Sequence, residues 1–142
     1  MFPGMKTRTF ENSPSILEVE CSGDTLPSNS VLLTMALYTP AENTKNVLAS
    51  VSLMQNKCLT SDSFSSCQLD ARDSRHTRLK TLVTDLKEGE SRSYGCTVGY
   101  EPSGWPWTKT MSWNTKLQRN SKSSSVSSYS DAVLRVNDSW VL

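Results

Sequence analysis

The chain has no run of about eighteen apolar residues, so it encodes no helix able to cross a membrane. It has no excess of either charge: 15 Lys and Arg stand against 14 Asp and Glu, and a net +1 is too little to attract nucleic acid or an anionic membrane. Histidine occurs once, as His76, inside the charged stretch 73–78, with Cys67 as its neighbour in sequence. A Cys–His nucleophile needs proximity in space, and a solvated surface imidazole is the simpler reading. The four cysteines contain no C-x-x-C pair and no spacing suited to zinc. The six glycines are scattered rather than gathered in a phosphate loop, and Asp70, Asp73 and Asp85 form no paired-carboxylate pattern. These gaps point away from an enzyme and from any cofactor or metal. Apolar residues make up only 36% of the chain, low for a packed domain, and the shortfall is concentrated at the C-terminal end. Residues 1–8 lack the apolar stretch of a secretion signal. An even cysteine count without such a signal leaves two readings. The chain is an internal piece of a longer secreted protein, which is the expectation, or a cytosolic protein whose thiols stay reduced.

What is present is a series of short, alternating apolar runs separated by turn-rich segments. Residues 6–10 read as a short edge strand. In 15–21, Leu17, Val19 and Cys21 share one face while Ile16, Glu18 and Glu20 share the other. Residues 22–30, rich in Gly, Asp, Pro, Ser and Asn, read as a loop. Residues 31–38 are apolar on both faces, the mark of a central strand, with Leu33, Met35 and Leu37 on one side. Residues 38–46 read as a loop, and 47–54 as a strand alternating through Val47, Ala49, Val51 and Leu53. Cys58 and Cys67 bracket a Ser-rich segment, and 70–78 is a charged connection. Strands are expected over 77–86, 91–100 and 107–114, with turn residues Pro102-Ser103-Gly104 between the last two. The whole predicts an all-β, two-sheet antiparallel sandwich. Three parts are expected: an N-terminal segment 1–14, a domain over 15–114, and a Ser-rich 115–142 that is linker-like or disordered.

Leu17-Glu18-Val19-Glu20-Cys21, then Leu82 and Leu86, then Tyr94-Gly95-Cys96 resemble the strands of an immunoglobulin-superfamily domain over about residues 15–114. The run 31–38, the stretch Val47-Leu48-Ala49-Ser50-Val51-Ser52 and the ending Thr110-Met111-Ser112-Trp113 more narrowly resemble the immunoglobulin-like domains of molluscan fibrinogen-related proteins. The resemblance implies a Greek-key sandwich with a bridge between Cys21 and Cys96, and a Tyr94 hydroxyl returned to backbone upstream. A bridge across so long a loop is worth roughly 4.5 kcal/mol in the chain-entropy account. Cys58 and Cys67 would then form a local staple, worth roughly 2.6 kcal/mol; crossed pairings and free thiols stay open. The family usually has Asp six residues and Gly or Ala four residues before the second Cys, where this chain has Glu90 and Arg92. It also carries a Trp on the bridge, yet no Trp lies between Cys21 and Cys96 here, so Leu33 or Met35 has to fill that volume, together with Trp107 and Trp113 from later in the chain.

The resemblance implies a secreted, extracellular recognition or adhesion module, in the family an innate-immune one, with a lectin-like fibrinogen domain downstream in the parent chain. Its partner would be a protein or a glycan on another molecule, with neither nucleic acid nor membrane insertion involved. The contact residues expected are Tyr100 and Trp105 in the later turn and Asp24 and Asn29 in the earlier loop, since sandwich loops carry specificity. The alternative is a spacer that binds nothing, and a third class is a cytosolic cysteine or metal protein. Asn137-Asp138-Ser139 is a glycosylation sequon. Arg75 or Arg78 is expected to pair with Glu90.

Overall fold

In the computed structural model, residues 4–10, 13–41, 43–104, 107–119, 126–131 and 137–139 are described. The elements are β1 (Met5–Phe10), β2 (Ser13–Ser22), β3 (Val31–Ala41), β4 (Thr44–Ser52), β5 (Lys57–Thr60), β6 (Ser65–Gln68), a 3₁₀ turn (Ser74–His76), β7 (Arg78–Val83), β8 (Ser91–Glu101), β9 (Thr108–Arg119), β10 (Val126–Asp131) and β11 (Asn137–Ser139). They form two antiparallel sheets. One has the order β1-β2-β7-β6, and the other runs β10-β9-β8-β3-β4-β5, with β11 also paired to β9. The protein is an all-β sandwich of two antiparallel sheets.

The inner faces come from the alternation in the sequence. On β2, Leu17, Val19 and Cys21 are buried, while Glu18 and Glu20 face out and meet Arg8 and Arg78 at 3.3 and 3.4 Å. On β8, Tyr94, Cys96, Val98 and Tyr100 all point inward. Cys21 and Cys96 are bridged, with Cα atoms 5.9 Å apart and 75 residues between them. The bridge joins two facing rows of cross-strand neighbours: Met5, Cys21, Leu79 and Cys67 in one sheet, and Trp113, Cys96, Leu37 and Ala49 in the other.

The volume beside the bridge is filled from β9, late in the chain. Trp113 on β9 lies opposite Cys96 and is 1% exposed. A Cβ on Gly4 would sit 2.8 Å from the Trp113 ring, so the indole seals the β1–β9 flank against bare backbone. Met35 is buried as expected, but Leu33 is only half-buried. An irregularity in β3 between Leu32 and Thr34 changes the phase of alternation and sends Leu32 into the core instead. Trp107 is also half-buried and precedes β9, so it is not the core residue expected.

Three further differences concern connections. The loop expected over 38–46 does not exist: β3 and β4 extend toward each other and close at Asn43, whose φ of 62° is the left-handed conformation Asn tolerates well. Cys58 and Cys67 do pair, but the bridge ties β5 of one sheet to β6 of the other, so it is a second inter-sheet link rather than a hairpin staple. Strand β9 runs on past residue 114 to Arg119, and β10 and β11, both within the segment read as a linker, pair with it.

Candidate functional site

Strand ends fix which loops meet. Strands β2, β4 and β8 end where β3, β5 and β9 begin, so the connections 23–30 and 53–56 and the residues 102–104 that follow β8 gather at one end of the sandwich, together with the segment 69–77. This is the end expected to make contacts. Several side chains expected to do so are occupied elsewhere.

Tyr100 is 2% exposed, a core residue at the end of β8, and is not a contact candidate. The reason is parity: it lies four residues after Cys96 on an uninterrupted strand, so it must share the inward face. Asp24 is tied down. Its carboxylate receives Arg78 at 2.6 Å and its carbonyl receives Arg75 at 3.0 Å, which clamps 23–30 to the 3₁₀ turn. The pairing expected between Arg75 or Arg78 and Glu90 is therefore replaced; Glu90 pairs with Arg92 instead. Asn29 is exposed and holds a φ of 65°. Trp105 and the Asn137 side chain lie outside the described residues. With both cysteine pairs closed, Cys67 is not a thiol that His76 could activate; His76 is exposed, its Nδ1 3.5 Å from Asp73.

The turn 53–56 supplies what the sequence reading missed. The Leu53 N–H donates to the Leu33 carbonyl at 2.9 Å, and Asn56 closes the turn with a φ of 51°. This geometry lifts Met54 to 79% exposure, and Val31 beside it is 51% exposed. Beneath them is a depression of about 270 Å³ lined by Val31, Leu33, Leu53, Met54, Leu69 and Ala71. Its wall is pinned where the Leu32 N–H donates to Ser74 Oγ at 3.0 Å and the Asp70 N–H to the buried Thr77 hydroxyl at 3.1 Å. Asp70 in turn accepts from the Arg72 and Asp73 N–H groups, which hold its carboxyl below the usual range. A thioether over an apolar hollow adapts to many partner shapes. The signal was legible in part: Gln55-Asn56-Lys57 is a turn sequence, but the run 47–54 made Met54 look like the last residue of a strand.

The opposite end is ionic. Tyr94 is buried, and its phenol meets the Arg92 guanidinium rather than a backbone carbonyl upstream; burial raises its pKa. Arg92 donates to Asp85 at 2.7 Å and to Glu90 at 2.6 Å, and the Arg92 hydrogen bond lowers the Asp85 pKa. On the outer face of the larger sheet, the Tyr38 ring covers Gly95, where any Cβ would collide with it, and Lys45 Nζ sits 4.5 Å from the ring centre. Among the described residues no group of three or more His, Cys, Asp or Glu is placed to hold a metal. No protein family profile matches the chain, and no curated protein matches it in sequence.

Proposed function

We propose that this chain is an extracellular recognition module that contacts a protein or glycan on another molecule through its loop end. The observation that carries the reading is the exposed Met54 and Val31 over an apolar hollow, at the end where three connections meet. Two disulfides are compatible with an oxidising compartment. The resemblance to molluscan fibrinogen-related proteins suggests innate defence, with a lectin-like domain downstream and a glycan on Asn137. A non-binding spacer is the second reading, favoured by the internal engagement of Tyr100 and Asp24.

The test compares the chain with its Met54→Glu variant on immobilised glycans and on whole bacterial and yeast cells. Recognition through this end predicts retention of the chain and at least tenfold weaker retention of the variant, at an unchanged melting temperature. Retention of neither supports the spacer, and equal retention of both overturns the loop end as the contact surface.

A further inference from the structure

The second disulfide holds the two sheets together along the β5–β6 flank, and the loop it closes brings Asp62 and Phe64 to the edge of a cavity. A cavity of about 420 Å³ lies between β4 and β7, in the range that takes small organic ligands. Its apolar walls are Leu48, Phe64 and Leu82, and both Phe64 (51%) and Leu82 (36%) are exposed more than core residues are. Its polar lining includes Asp62, Asp85 and Arg92.

The walls are fixed rather than loose. The Ser61 N–H donates to the Leu48 carbonyl at 2.9 Å and the Leu82 N–H to the Phe64 carbonyl at 3.0 Å, so the 61–64 segment is stitched to β4 on one side and β7 on the other. The Ser65 and Thr81 hydroxyls bond at 3.0 Å. One Asp62 oxygen accepts the Phe64 and Ser65 N–H groups, both at 2.9 Å, which sets the carboxylate at the rim. Cys58–Cys67 closes the loop that carries Asp62 and Phe64. A cavity bounded by so many bonds is pre-organised, which lowers the entropic cost of filling it.

The charges select the occupant. Arg92 is the one cation in the lining, and both its terminal nitrogens are engaged, with Asp85 and with Glu90. Asp62 carries no ion pair among the described residues. Asp85 and Glu90 share the Arg92 guanidinium while Asp62 stands apart from it, and the lining, with Asp62, Asp85 and Arg92, keeps a net negative charge beside an apolar floor. The geometry points to a binding site for a small organic cation, an ammonium or amidinium group on an aromatic or branched aliphatic body, with the charge at Asp62 and Asp85 and the body against Leu48, Phe64 and Leu82. An anion would add a like charge beside Asp62 and Asp85, and a neutral molecule of the same shape leaves the Asp62 charge uncompensated.

The probes are benzylammonium, benzyl alcohol and benzoate, titrated into the intact chain and followed by backbone amide NMR. Benzylammonium is expected to shift the amides of Phe64, Ser65, Leu82 and Thr84 saturably, to bind at least tenfold more tightly than benzyl alcohol, and to weaken with added salt. Benzoate is expected to leave them unmoved. Asp62→Asn keeps an oxygen for the two backbone donors, so the rim survives while the charge is lost; binding of the cation should fall about tenfold. Leu82→Trp should block it without touching any charge, and Met54→Glu at the far end should change nothing. Equal binding of the alcohol, tighter binding of benzoate, full binding to Asp62→Asn, or no shift at these amides overturns the assignment. None of these results bears on whether the loop end binds a partner.

Discussion

The two flanks of the sandwich are closed in different ways. On the β1–β9 flank, the buried Trp113 packs tightly against Gly4. On the β5–β6 flank, Cys58–Cys67 crosses between the sheets, and the loop it closes lines a cavity of about 420 Å³. Packing closes a gap by filling it, whereas a covalent tie fixes only a distance. The comparison teaches that the tightly packed flank holds stability and the tied flank holds space.

The sharpest way to break the contrast is Trp113→Ala. It removes the largest fully buried side chain among the described residues and should cost about 3–5 kcal/mol in denaturant unfolding; a cost below about 1 kcal/mol would show that the flank does not depend on it. Replacing both Cys58 and Cys67 by Ser should cost less, at most about 2.6 kcal/mol, and should loosen amide exchange protection at 61–66 while the core around Cys96 stays protected. Gly4→Ala adds a methyl where the Trp113 ring and the Ser22 carbonyl already lie 2.8 and 3.0 Å away; the expected loss is about 1–2 kcal/mol.

The smallest expected effect is a pH dependence at the rim of the tied flank. The Asp85 pKa is lowered from 3.8 in the folded chain, mainly by the Arg92 hydrogen bond. Its contribution is therefore complete above that unfolded value and is lost as pH falls below it. Because Asp85 is largely exposed (73%), solvent screening limits this contribution to about 0.5 kcal/mol. Asp85→Asn should remove that slope below about pH 4 and leave the Trp113 flank unchanged; an unaltered acid slope would place the effect elsewhere.

Much of the fold was legible because it rests on parity. Leu17, Val19 and Cys21, and the inward set at Tyr94, Cys96 and Val98, follow from the two-residue period of a strand, and the sandwich follows from the number and spacing of such runs. Parity fails where the backbone breaks it. The irregularity between Leu32 and Thr34 could not be read from apolar residues alone, because Leu32 and Leu33 are chemically equivalent. The tight closure at Asn43 was hidden by polar composition, which describes loops and edge hairpins alike. Contact residues were harder still. Asp24 looks like a free loop carboxylate until the fold brings Arg78 to it from 54 residues away, and Tyr100 is a loop residue only if β8 stops early. Met54 has only a partial local signature, the turn residues after it, and the cavity lined by Asp62 and Phe64 has none, since it depends on how elements distant in sequence meet.

Both bridges reach the smaller sheet on a single transverse row, where Cys67 and Cys21 stand on either side of Leu79. Sliding β7 by one residue would turn Leu79 outward and misalign it with both anchors at once. The two sulfur links therefore act on β7, which contains no cysteine, as a vernier acts on a scale, allowing one setting and making every neighbouring one visibly wrong.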